Sequence, residues 1–157
     1  MGIFVCDYCQ SIFAPPAEDE GVLAIAEVAE KCPLCQAALW DASLETFSLR
    51  FCKPCKGMLI AMDDLMPLVE SLRARRDAPV RMAQRRNPAD ANRRLLCPRC
   101  AGGMDAHPYG GAGNINIDSC ERCAVVWLDR GELRRISSAP DYQPIYLDHG
   151  DAAKDSE

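Results

Sequence analysis

Ten cysteines dominate the chemistry available to this chain of 157 residues, and all ten fall in pairs of one type. The pairs are Cys6/Cys9, Cys32/Cys35, Cys52/Cys55, Cys97/Cys100 and Cys120/Cys123, each Cys-x-x-Cys. Disulfide frameworks of secreted proteins use irregular spacings, so regular pairs point to thiolate ligation of a metal. Cysteines three apart fit a tight turn whose N–H groups face the sulfurs, which makes each pair a bidentate half-site. Two half-sites close a tetrahedral four-sulfur shell of the kind that holds structural Zn2+. Iron in rubredoxin-like sites uses similar knuckles, so sulfur ligation alone does not separate the two metals.

Spacing ranks the pairings. Nineteen residues separate Cys100 from Cys120 and 16 separate Cys35 from Cys52, both inside the range of a two-knuckle zinc site. The 22 residues from Cys9 to Cys32 fall just outside that range, and the 41 from Cys55 to Cys97 far outside. This predicts sites at Cys32, Cys35, Cys52, Cys55 and at Cys97, Cys100, Cys120, Cys123. Cys6/Cys9 is then left as an additional metal or redox pair. The alternative pairs Cys6/Cys9 with Cys32/Cys35 and leaves Cys52/Cys55 over. For an odd pair three fates are open: a half-site bridging two chains, a reversible disulfide, or free thiols. Two Zn2+ per chain are expected, with a third or bridging ion as the further option.

The elements that must carry these pairs repeat. A shift of 68 residues lays Cys52/Cys55 on Cys120/Cys123, Leu59 on Trp127, Ile60 on Leu128, Asp64 on Glu132 and Leu65 on Leu133. Upstream, CPLC at 32–35 lies on CPRC at 97–100, with three extra residues in the second loop. Each copy reads as knuckle, hairpin, knuckle, apolar strand end and helix start. Residues 4–13 have strand-like side chains either side of the first pair, while VLAIAEVAE at 22–30 is ambiguous between helix and strand. Leu65, Leu68, Val69 and Leu72 repeat at helical spacing, with Asp63 and Asp64 at the positive end and Arg73, Arg75 and Arg76 at the negative end. Pro67 is tolerable if it falls in or near the first turn. Asn87-Pro88 reads as a cap and first residue of a further short helix. Asp129 followed by Glu132 has the spacing of a capping box.

CPRCAGGM, a Gly-rich hairpin and then CERCAVVWLDRGELRRI resemble the transcription factor IIB-type zinc ribbon found in many bacterial proteins. The likeness is sharp over 97–136 and degenerate over 32–70, where Leu59 stands in the Trp position. It implies a small antiparallel ribbon with four cysteine ligands and no enzymatic activity. The expected fold is therefore a small metal-stabilised α+β protein: two zinc ribbons joined by an amphipathic helical linker. The expected divisions are an N-terminal segment at 1–31, a first ribbon at 32–62 and an Arg-rich helical linker at 63–94. A second ribbon follows at 95–136, then an acidic flexible tail at 137–157. Each ribbon, at about 40 residues, is near the size below which a core alone rarely suffices.

Charge and composition bound the role. Residues 73–94 hold eight Arg against two Asp, a net of +6 inside a chain whose total is −5. Arg73, Arg75, Arg76, Arg81, Arg85 and Arg86 are the candidate contacts to nucleic acid or to an acidic partner, although no aromatic residue interleaves with them. Trp127 with Arg130 and Arg134 is read first as structural and second as a contact patch. His107 and His149 read as non-ligands. No apolar run approaches the roughly 20 residues of a membrane span, and the start of the chain lacks a secretory pattern, so a cytoplasmic protein without membrane contact is expected. No catalytic residues are expected. The anticipated role is a protein-interaction adaptor, with nucleic-acid or transcription-machinery binding as the alternative and a zinc-releasing thiol redox switch as the second alternative.

Overall fold

A computed structural model describes residues 17–75, 92–110 and 114–139, together with the backbone of two short strands at 4–5 and 12–13. These two, β1 (Phe4–Val5) and β2 (Ile12–Phe13), form an antiparallel hairpin. A 3-10 turn at Asp19–Gly21 leads into β3 (Leu23–Lys31), β4 (Ala38–Leu44), β5 (Phe47–Phe51), β6 (Met58–Ala61) and helix α1 (Met62–Ala74). The second half supplies β7 (Asp105–Pro108), β8 (Asn116–Cys120), a 3-10 turn at Glu121–Cys123, β9 (Val125–Leu128) and helix α2 (Glu132–Ser138). Among the described residues, an antiparallel sheet with helices α1 and α2 and two four-cysteine clusters is thus the observed form of the expected α+β class.

The two copies are not separate ribbons on a linker. They share one seven-stranded sheet in the order β3-β4-β5-β6-β9-β8-β7. The junction is β6 against β9, with Met58 opposite Leu128, Leu59 opposite Trp127, Ile60 opposite Val126 and Ala61 opposite Val125. Leu59 and Trp127 are also the residues that the repeat superimposes. Equivalent strands therefore pair antiparallel about a local two-fold through the 59/127 pair, as subunits do in an isologous dimer. Only one face of a lone hairpin could be covered by its own helix, and the edge of its last strand would remain open; pairing β6 with β9 closes both edges at once.

Alternation along the strands sorts the core into two faces. Met58, Ile60, Val126 and Leu128 point toward the helices, where Leu65, Leu68 and Val69 of α1 and Leu133 and Ile136 of α2 bury them. Leu59, Val125 and Trp127 point the other way and pack with Cys32, Cys52, Cys97, Cys120, Leu39, Leu95 and Met104. Each face draws residues from both copies, so neither copy has a core of its own.

Several expected boundaries move. The ambiguous 22–30 stretch is strand β3, so the first copy begins before residue 32. Helix α1 is a wall of the core rather than a connection, because its apolar face has the sheet to cover. It starts at Met62, which makes Pro67 its sixth residue, beyond the first turn, where proline removes a backbone hydrogen bond. At the other end α2 runs to Ser138 and Ala139 is buried, so the second copy extends past 136 into the stretch read as tail. The short helix at Asn87-Pro88, His149 and the rest of the tail lie outside the described residues.

Candidate metal centre

Four knuckles bring eight cysteines into two groups. Cys32, Cys35, Cys52 and Cys55 form one and Cys97, Cys100, Cys120 and Cys123 the other, with all sulfurs of a group within 4.8 Å of one another. The sulfur separations are 3.4 Å for Cys32–Cys55 and Cys35–Cys52, and 3.7 Å for Cys100–Cys120. A tetrahedral ion with Zn–S bonds of about 2.3 Å needs sulfurs about 3.8 Å apart, whereas a disulfide needs about 2 Å. The donor set therefore fits two Zn2+ ions, and all eight thiols are free of disulfides. Four thiolates fill the shell of each ion, leaving no open position of the kind a catalytic zinc uses.

Local backbone geometry builds each half-site. The N–H of Gln36, Lys56 and Ala101 donates to the carbonyl of Cys32, Cys52 and Cys97 at 3.0, 2.8 and 2.8 Å, closing three of the turns. The residue after the second cysteine is left-handed in all four knuckles: Gln36, Lys56, Ala101 and Ala124 have φ of 61°, 62°, 55° and 50°. None is glycine, so each turn holds a conformation that costs an L-residue about 1–2 kcal/mol. In each of these four pairs the first cysteine is buried and the second is more open.

Electrostatics at the sulfurs couples ligation to protons. Burial pushes the Cys32 thiol up to about 12 and raises that of Cys97, although backbone N–H groups of each knuckle point at the sulfur and favour its thiolate. Cys100 moves the other way, to about 7, chiefly because the Gly102 N–H donates to it. Zinc must displace protons from the buried thiols, so occupancy weakens as acid rises.

Trp127, the first residue of WLDRGEL, packs in one core cluster with cysteines of both sites, and the side chains of this segment do structural work. Trp127 is wholly buried. Its indole lies over Gly57, where an added Cβ would come within 2.3 Å of Cζ2. The indole N–H donates to Asp129 Oδ1 at 3.0 Å, and Arg93 pairs with the other oxygen of Asp129 and with buried Asp118. Burial opposes the Arg93 charge, but hydrogen bonds to Asp129 and Asp118 outweigh it and hold its pKa above the ordinary value. Half of the expected capping box is present: Glu132 accepts the Asp129 N–H at 2.8 Å. The other half is replaced, because the Asp129 carboxylate is taken by Trp127 and Arg93.

The helix is capped instead from far away in sequence. Glu20 accepts the N–H of Gly131 at 3.2 Å and of Arg134 at 2.8 Å. Asp19 pairs with Arg130 at 2.8 Å and Arg134 at 3.1 Å, and Glu18 pairs with Lys56 at 2.9 Å beside the first site. Residues 18–20 therefore clasp both copies. Trp127 is inside and so takes no part in a surface patch with Arg130 and Arg134, which are exposed and pair with Asp19. Nothing in the spacing of EDEG marks this role; an acidic run just ahead of a strand is its only trace in the sequence.

Of the six candidate arginines, Arg73 donates to the Ile136 carbonyl at 3.0 Å and Arg75 pairs with Glu45. Arg76, Arg81, Arg85 and Arg86 lie outside the described residues, as do Cys6 and Cys9. His107 is exposed on β7, its Nε2 3.0 Å from Ser119 Oγ, and belongs to neither thiolate group. Among the described residues no helix is long and apolar enough to cross a membrane.

Paired knuckles bring the eight cysteines into two closed four-sulfur groups on short antiparallel strands, the arrangement of a structural zinc site. Residues 96–139 match the family model of the transcription factor zinc-finger, the TFIIB-type zinc ribbon, a family that binds zinc. No curated protein and no solved structure matches the chain.

Proposed function

We propose that this protein is a non-enzymatic, cytoplasmic adaptor whose two zinc ions are structural and whose working surface contacts another protein. The observation that carries this reading is a cleft of about 250 Å3 between the N-terminal knuckles of the two sites. Pro33 and Gln36 line it from one knuckle, and Leu96, Pro98 and Ala101 from the other. Leu96 is 60% exposed and Leu34, in the facing knuckle, 42%. Two zinc-braced turns holding leucines out in water suit an apolar anchor on a protein partner. Phosphate recognition calls for cations; of the six candidate arginines Arg73 is engaged by the Ile136 carbonyl, while Arg75 pairs with Glu45 on the surface and Lys31 lines the cleft beside Glu30.

A photo-crosslinking residue placed at Leu34 or Leu96, with exposed Met66 as the control position, tests this reading. The adaptor role is expected to give one discrete protein adduct from positions 34 and 96 and none from 66. Crosslinks only to nucleic acid, or retention on nucleic acid that weakens steeply with salt, would favour the alternative. No position-specific adduct would remove the adaptor reading.

A further inference from the structure

The seven-stranded sheet ends in two unlike edges. At one, β7 is four residues long and closes on Pro108, which has no N–H to offer a further strand. At the other, β3 runs for nine residues, Leu23–Lys31, and among the described residues no strand pairs with its outer side. The hairpin of β1 and β2 is a separate sheet. A long open edge is a template for another strand, and its side chains decide which strand fits.

Glu27, Ala29 and Lys31 are exposed. Glu27 lies opposite Trp40 and Lys31 opposite Ala38, so both charges end on the same face of the sheet although the register shifts between them. Neither has an ion partner among the described residues, whereas Glu30 between them is held by Arg50 and Arg99. Two copies of β3 laid antiparallel about a two-fold at Ala29 set Glu27 of each against Lys31 of the other, so one operation makes two unlike pairs. Moving the axis to Glu27 would set two carboxylates face to face. Continued past Lys31, the Ala29 register brings Ile25 of one copy opposite Pro33 of the other, a wall of the cleft between the knuckles. Ile25, Leu34 and Leu96 are three of the four large apolar side chains exposed among the described residues, and all three flank this edge or the cleft at its end.

We propose that the outer edge of β3 binds the same edge of a second copy of this chain, antiparallel about Ala29, and extends the sheet across a two-fold dimer. The molecule already uses this operation within one chain, where β6 meets β9. Main-chain hydrogen bonds supply the attraction and the Glu27–Lys31 pairs fix the register. The cleft at this edge is also where the adaptor reading seats a partner protein, so the second copy and that partner compete for it. The dimer itself does not depend on that reading.

Sedimentation velocity of the zinc-loaded full chain in reducing buffer tests the proposal. The unsubstituted chain is expected to dimerise in a concentration-dependent equilibrium. Glu27→Lys and Lys31→Glu each turn both pairs into like-charge contacts, so each is expected to weaken self-association about tenfold or more. An equal mixture of the two variants restores both unlike pairs across the interface and is expected to recover the dimer. Hydrogen-exchange protection over β4 to β9 should be the same in every sample, which separates a lost interface from misfolding. An unsubstituted chain that stays monomeric would overturn the proposal. So would single variants that dimerise as well as the unsubstituted chain, or a mixture as weak as either variant alone. Failure of the dimer leaves the adaptor reading intact, because the crosslinked adducts of that reading are to a protein of a different mass.

Discussion

The two copies of the repeat hold their metal alike and fill their core differently. Both gather four sulfurs within 4.8 Å, and both end their knuckles in left-handed residues that are not glycine. Yet only residues 96–139 match the family model, while the first copy has Leu59 for Trp127 and Gly57 for Val125. The structure makes these departures complementary. Trp127 occupies the space that Gly57 leaves open, across the junction from which both copies take their core. The WLDRGEL signature is thus less a property of the metal site than of the seam, and the drifted copy is the other half of that seam.

The most severe way to break the comparison is to remove one ligand. Structural zinc contributes on the order of 10–16 kcal/mol in zinc-finger peptides, more than a domain of this size has to spare. Independent ribbons would lose protection only in the copy that was mutated. A shared core predicts that Cys120→Ser abolishes hydrogen-exchange protection in β4 and β5 as well as in β8 and β9, and that Cys52→Ser does the same in reverse. Protection confined to one copy would refute the single core. Acid should act through the same linkage. The thiolates are held by metal in the folded state and regain their protons in the unfolded one, so stability present at neutral pH is lost as pH falls and protons compete for sulfur. Zinc release and loss of protection should therefore coincide in an acid titration followed by a zinc-sensitive dye and circular dichroism.

Next in size is the seam. Trp127→Ala is expected to cost about 3–5 kcal/mol, the usual loss for a large buried aromatic. Gly57→Ala should be comparably harmful, because the ring it meets is rigid and fully enclosed. Trp127→Leu frees space above residue 57, so Gly57→Ala should cost far less in that background than alone. A double-mutant cycle by urea denaturation measures this coupling, and additive effects would mean the two residues do not meet.

Smaller effects sharpen the picture. Glu20→Ala removes the acceptors of the Gly131 and Arg134 N–H groups and should cost about 1 kcal/mol, in the range of a lost helix cap. Amide exchange at Gly131 and Arg134 should accelerate while exchange in β4 stays unchanged. Burial raises the Glu20 pKa, whereas the Arg130 hydrogen bond lowers that of Asp19. As pH falls, Asp19 loses a favourable pairing while protonation relieves the cost of burying the Glu20 charge. The clasp should therefore contribute little net acid sensitivity beside the zinc sites. Least of all, Ala124→Gly relieves a left-handed residue but frees the unfolded chain, so its net effect should stay within about 1 kcal/mol with zinc content unchanged. Thermal denaturation checks the sign.

Much of the site could be read from spacing because a knuckle is local. Cys97, Cys100 and the N–H groups that face them lie within six residues, and their geometry follows from one turn whatever surrounds it. Loop length then limited which half-sites could meet, since 16 or 19 residues suit a hairpin and 41 do not. The helix at 62–74 was legible for a similar reason, its apolar face repeating within two turns. What spacing could not show was contact between positions with no periodic relation. Glu20 caps a helix 111 residues away, Arg93 serves the seam rather than the basic linker, and Gly57 is small for the sake of Trp127. No local propensity records any of these.

By itself the sequence determined that this chain carries paired thiolate half-sites and that it repeats one ribbon unit; it ranked the partners of Cys32/Cys35 by spacing, and the structure brings that pair to Cys52/Cys55. The half-sites and the repeat follow from residue type and interval, which survive without knowledge of the fold. Only the tertiary structure decided that the two units are one body. Edge-to-edge pairing of β6 with β9 depends on which apolar surfaces remain uncovered once each hairpin has formed. Those surfaces become visible only when the strands lie side by side, with Trp127 filling the gap above Gly57.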